Sequence, residues 1–133
     1  MDLVLLLARV LFAALFIMSG YGHFANREAM AGYAKYKKVP LAGTAVVVSG
    51  LVFLLGGLSI LFGIRADLGA LALAVMLFPT AFIMHAYWGE TDAQAKQTET
   101  IAFNKDISLA GAALTFFVLF NQFSDQLGLL LVK

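Results

Sequence analysis

The sequence predicts an all-α integral membrane protein, a four-helix bundle with a short interfacial helix between its first and second spans. Three observations predict it. Hydrophobic residues make up 62% of the 133 positions and charged residues 13%, whereas an ordinary soluble domain carries roughly 25% charged residues. Mean hydropathy is +0.90, more apolar surface than so short a chain can bury in a water-surrounded core. Four apolar runs also approach the length of about 20 residues that a bilayer crossing needs.

The first span covers residues 3–25 and is interrupted by Arg9. No basic segment precedes it and no small-residue cleavage site closes it, so it reads as an uncleaved span and not a signal peptide. The second covers 41–64, with Pro40 placed to open it, where a missing N–H is harmless. The third covers 68–87 and the fourth 106–121. Four spans put both termini on one side, and residues 1–133 form a single domain without repeat or linker.

The connections carry the polar residues. Wound as a helix, residues 27–39 place Ala29, Met30, Tyr33, Ala34 and Tyr36 on one side. Arg27, Glu28, Lys35 and Lys38 fall on the other, and Lys37 fits neither. That is the pattern of a short helix lying in the interface. Arg65-Ala66-Asp67 makes a tight second connection. Residues 85–106 form the one long polar stretch, in which Thr91-Asp92 is a start signal for another short interfacial segment. The tail, residues 123–133, is amphipathic enough to lie on the membrane. Arg27, Lys35, Lys37, Lys38, Lys96 and Lys105 stand on the side of the long loops, and Arg9, Arg65 and Lys133 on the other. The bias places the long loops in the cytoplasm and the termini outside.

The second span carries two stripes of small residues at spacing seven, Gly43, Gly50 and Gly57 beside Ser49, Gly56 and Gly63. Small residues let helix backbones approach closely where lipid supplies no hydrophobic drive. Pro79 removes one backbone bond in the third span and leaves the Val75 carbonyl to Thr80 or water.

A formal net charge of +1 without a basic cluster excludes a nucleic-acid partner. The absence of cysteine excludes disulfides, iron–sulfur ligation and a thiol nucleophile from this chain. Phosphate-loop, dinucleotide, zinc-protease and nucleophile-elbow motifs are missing as well.

The groups that can do chemistry gather at one rim. His23 ends the first span, His85 ends the third, and Lys105 and Asp106 open the fourth; all four share a depth, with Trp88, Tyr21, Asn26 and Asn104 in the same layer. Ionisable groups at such depths usually face the bundle interior. The pattern leaves three readings open. The imidazoles can ligate haem or a metal, although no metal site is assigned to them. They can hydrogen-bond a quinone carbonyl, with Trp88 and Tyr87 flanking the ring. Or they can anchor the interface. Asp106 suits a helix N-terminus, and Lys105 is held by Asp106 or Glu99 or reaches the headgroups. Arg9 lies about 10 Å into its span at 1.5 Å per residue. It shares a face with Phe16, Gly20 and His23, so an interior ion pair is expected there; the alternative is that it snorkels outward toward Asp2 or Asp67.

Arg9 followed by Phe16-Ile17-Met18-Ser19-Gly20-Tyr21-Gly22-His23 resembles the opening of the DoxX family. Ser49-Gly50 with Leu55-Gly56-Gly57-Leu58-Ser59-Ile60-Leu61-Phe62-Gly63 resembles its Gly-rich second helix. His85-Ala86-Tyr87-Trp88 resembles its H-x-[FY]-W element, and Phe103-Asn104-Lys105-Asp106-Ile107-Ser108-Leu109-Ala110-Gly111 its F-x-K-N-L-x-L-x-G element. In order, these cover nearly the whole chain. Two positions depart: Phe53 stands where many members place Glu, and Asp106 where many place Asn. Whatever that Glu carries in relatives, Phe53 cannot. The resemblance implies a small four-helix protein of the bacterial inner membrane, since the namesake group is tied to a thiosulfate:quinone oxidoreductase and others to redox or oxidative-stress assemblies. The expectation is a subunit or anchor of a redox-linked complex, holding a quinone or lipid near His23, His85, Trp88 and Lys105. Its partners are then the lipid bilayer and other membrane subunits, or further copies of itself in a homo-oligomer. The rival is a purely structural accessory subunit without ligand chemistry. A transporter fits less well, since only Pro79 suggests a broken helix.

Overall fold

The computed structural model describes residues 1–132; Lys133, counted above with the terminal side, lies outside them. Five α-helices succeed one another: α1 Asp2–Ala25, α2 Arg27–Tyr36, α3 Ala42–Phe62, α4 Ala66–Pro79 and α5 Ala93–Phe123. A π-helical turn, Thr80–Met84, extends α4. With that extension, four helices are long and apolar enough to cross a membrane. Leu3, Leu11, Met18, Leu55 and Val75 are among the apolar side chains left exposed on the outside. A water-soluble fold would bury such residues; a bilayer solvates them.

α1 packs on α3, α3 on α4, and α4 on α5. The row closes where Phe12 of α1 meets Phe116 of α5, ring centroids 4.9 Å apart. Phe16, Phe53, Ile60, Leu73, Leu77, Ala110 and Ala113 fill the centre.

Three boundaries differ from the sequence reading. Asp92 caps α5, its carboxylate accepting from the Ala95 amide at 2.8 Å. The start signal is real, but it opens one continuous helix and not a separate interfacial segment. No Gly or Pro lies between Ala93 and Ala110 to stop it, and polar residues on an exposed helix face do not unwind it. Lys105 and Asp106 thus sit in the interior of α5 and not at its start. α4 opens at Ala66, so the connection before it is Gly63, Ile64 and Arg65; Asp67, within the first turn, takes the Arg65 guanidinium at 3.0 and 3.1 Å. Pro40 lies in the turn before α3, which begins at Ala42.

Glycines serve different ends. A Cβ on Gly20 would lie 2.7 Å from the Leu54 amide nitrogen and 2.8 Å from the Gly50 carbonyl, and one on Gly57 would press on Ile17. These let α1 and α3 touch backbone to backbone. Gly56 gives Leu73 of α4 its space. Gly43 faces nothing within 4 Å. Gly63, placed in a packing stripe by its spacing, instead ends α3 with φ 65°. The Ile64 amide returns to the Ser59 carbonyl at 3.0 Å and the Gly63 amide to Ile60 at 3.3 Å, the paired bonds of a left-handed helix end.

Arg9 completes that end. It is 1% exposed. Its Nε donates to the Ile60 carbonyl at 2.8 Å and its Nη2 to Leu61 at 2.7 Å. Nη1 donates to Leu129 at 2.7 Å. The expected carboxylate partner is replaced by three carbonyls, two of them in the last turn of α3, where orphan acceptors and the negative end of the helix dipole converge. The tail takes part: the Val132 amide donates to the Gly63 carbonyl at 3.0 Å, and its own carbonyl accepts from the Arg65 amide at 3.0 Å. At Pro79 the Thr80 hydroxyl donates to Met76 at 2.8 Å, one residue beyond the carbonyl expected to need it.

Two outcomes test this packing. Arg9→Met strands three carbonyls and costs about 3–5 kcal/mol, the range for breaking a buried charged network. Equilibrium unfolding in detergent measures it, and a loss below about 1 kcal/mol contradicts the account. Gly20→Ala lowers stability by about 1–3 kcal/mol through the backbone clash, whereas Gly22→Ala, with nothing within 4 Å, causes no loss.

Candidate functional site

At the end of the bundle away from Arg9, a cavity of about 460 Å³ opens between the helices. That volume is in the range of small-molecule sites, about 300–1,000 Å³. His23, His85, Lys105 and Asp106 all line it. Apolar wall comes from Phe16, Phe53, Leu77, Ile83 and Leu109, with Ser49 and Thr80 as further polar points.

His23 is buried at the end of α1. Its Nδ1 lies 2.7 Å from the Ser19 carbonyl. A carbonyl only accepts, so Nδ1 carries a proton, and a second proton at Nε2 is not needed for this bond, which leaves Nε2 free to accept in the Nδ1–H tautomer. Gly50 makes room for it, since a Cβ there would sit 2.7 Å from the His23 Cβ. Phe53 meets the ring edge-on at 5.4 Å.

His85 comes directly after the π-turn that Pro79 introduces, and such turns recur at functional sites because they shift the register of the residues beyond them. Its Nδ1 meets Glu99 Oε2 at 2.7 Å. Its Nε2 faces Asp106 Oδ2 at 3.6 Å. Glu99 and Asp106 are seven residues apart, two turns along one face of α5. The other oxygen of Glu99 accepts from the Tyr33 hydroxyl of α2. Lys37, the residue that fitted neither face of its helix, reaches Glu90 at 2.8 Å and Glu99 at 3.7 Å. Glu99 of α5 is therefore held both from the α2 segment and from the end of α4. The sequence reading missed its importance, because it stands in a stretch read as loop; the signal available was its spacing of seven from Asp106.

Trp88 is not brought to the cavity. It is 55% exposed and stacks in an outer cluster with Phe82, Tyr87 and Phe103. Lys105 lines the cavity from its exposed side, while both acids expected to hold it face His85.

Burial raises the Tyr33 hydroxyl above the usual phenol range, and the Glu99 hydrogen bond adds to it. Lys37 is also raised: burial opposes its charge, but the Glu90 hydrogen bond and the Tyr33 and Glu99 contacts outweigh that.

The DoxX family model matches residues 4–86. The chain is also similar to the protein named Inner membrane protein YqjF of Escherichia coli (strain K12). The two are 30% identical over 113 residues, 85% of this chain and 81% of that one. No solved structure gives a significant match.

Raised values at Tyr33 and Lys37 set a sign. Their contribution is complete below the ordinary titration range, about pH 10, and is lost as pH rises through the raised values. Thermal stability in detergent falls as pH rises above about pH 10, and Tyr33→Phe with Lys37→Met flattens that fall. An equally steep fall in the double variant contradicts the assignment.

Proposed function

The chain belongs to the DoxX family of integral membrane proteins, and from that premise we propose that it holds a quinone-like ligand in the rim cavity, as a small subunit or anchor of a redox-linked membrane complex. The observation that carries this reading is one mostly apolar cavity whose polar groups include His23, His85, Asp106 and Lys105. A quinone is a flat apolar ring with two carbonyl acceptors, which become hydroxyl donors on reduction. Lys105 can donate to the oxidised form; His23 Nε2 and the Asp106 carboxylate can accept from the reduced form. Haem suits the site less, because both nitrogens of His85 already face carboxylates. The chain has no cysteine for an iron–sulfur centre, so on this reading electrons come from a partner subunit. The basic residues of the long loops favour this rim on the cytoplasmic side of the bacterial inner membrane, with the termini outside.

The two departures from the family pattern fall in this same cavity. Phe53, in place of Glu, supplies apolar wall beside His23, and Asp106, in place of Asn, supplies the acid on the opposite helix. The carboxyl is relocated across the pocket and not lost from it.

Purification from native membranes tests the reading. Quinone co-purifies with the wild type, and its content falls about tenfold or more in Asp106→Ala and His85→Ala, a loss of about 1.4 kcal/mol in binding. Unchanged content in the variants, or none in the wild type, favours the purely structural subunit instead. A redox assembly accompanies the protein in mild detergent; a lone monomer counts against the subunit role.

A further inference from the structure

We infer that His85 passes protons between Glu99, outside the cavity, and Asp106 within it, with Tyr33 at the entrance. This goes beyond the ligand reading and holds whatever the cavity contains.

An ion pair that merely joins α4 to α5 needs one carboxylate. Here each ring nitrogen has its own, Glu99 at 2.7 Å and Asp106 at 3.6 Å, and the two acids open on different surroundings. Glu99 is 9% exposed and does not line the cavity; it meets the outside through Tyr33, which is 40% exposed and also borders the cavity. Asp106 is 6% exposed and lines the cavity. Imidazole is the side chain that can take a proton at one atom and release another at a second. Lys37 and Glu90 stand at the outer end; His23 of α1 and Lys105 of α5 stand at the inner end. Among the described residues α3 presents only Ala45, Val46, Ser49 and Phe53 to the cavity, none of them titratable.

Atoms and charge balance over one pass. The O–H bond of protonated Glu99 breaks as an N–H bond forms at His85 Nδ1. The N–H bond at Nε2 breaks as an O–H bond forms at Asp106. His85 ends as its other tautomer, and the reverse pass resets it: Nδ1 returns a proton to Glu99 as Nε2 takes one from Asp106, so the two carboxyls exchange protons in both directions. The gap of 3.6 Å closes to hydrogen-bond length by a small turn of either side chain.

The test is hydrogen–deuterium exchange of the Asp106 carboxyl, with the full chain in lipid nanodiscs. The protein is moved into heavy water at a pH acid enough to show the carboxylic C=O stretch, and the band is assigned by its loss in Asp106→Asn. The wild-type band shifts promptly. Glu99→Gln, which keeps the shape but cannot pass a proton, slows the shift on the order of a hundredfold, the low end of what a positioned acid–base group contributes. His85→Gly slows it similarly, and added imidazole restores it, which no structural role of His85 explains. Wild-type exchange in Glu99→Gln, or no rescue by imidazole, overturns the relay. No quinone takes part, so failure here leaves the ligand reading standing, and an empty cavity leaves the relay standing.

Discussion

Inside hydrocarbon a polar side chain finds its partners within the protein or not at all. The structure meets that constraint twice, once at each end of the bundle. At one end Arg9 gives three bonds to carbonyls of α3 and the tail. At the other, Glu99 gathers Tyr33, His85 and Lys37. Between them the layer is apolar, tightened by close approach at Gly20 and Gly57 and by the Phe12–Phe116 contact.

The two ends are not equivalent. The Arg9 end is saturated: acceptors that a helix terminus leaves orphaned meet donors that a buried guanidinium must place. Its work is to hold the end of α3 against the tail. The Glu99 end keeps unspent capacity facing a cavity. His23 has an accepting nitrogen, and Asp106 meets His85 at 3.6 Å, beyond hydrogen-bond length. A site that binds and exchanges protons needs such groups; a scaffold does not.

Much of this rim is legible in the sequence. Counting residues along the spans places His23, His85, Lys105 and Asp106 at one depth, and all four line one cavity. Counting works because an α-helix rises a constant 1.5 Å per residue. It fails between Ala93 and Lys105, where apolar periodicity lapses but the backbone does not. That lapse hides Glu99, puts Asp106 at a helix start, and suggests partners for Lys105 that belong to His85. Trp88 reads as a cavity residue because His85 is its neighbour in sequence, but the short 3₁₀ turn at Tyr87–Gly89 carries it to the outer surface.

Composition and the lengths of the apolar runs were enough for the class of solvent, the number of crossings and the rim where polar residues collect, because each depends on local chain geometry and on the free energy of transferring side chains into lipid. Pairing lay beyond them. Arg9 meets Ile60 at a separation of 51 residues and Leu129 at 120, and His85 chooses two carboxylates on another helix. Such choices depend on how helices rotate and cross once packed, and a guanidinium accepts carbonyls as partners as readily as an acid when a helix end is what the fold brings to it.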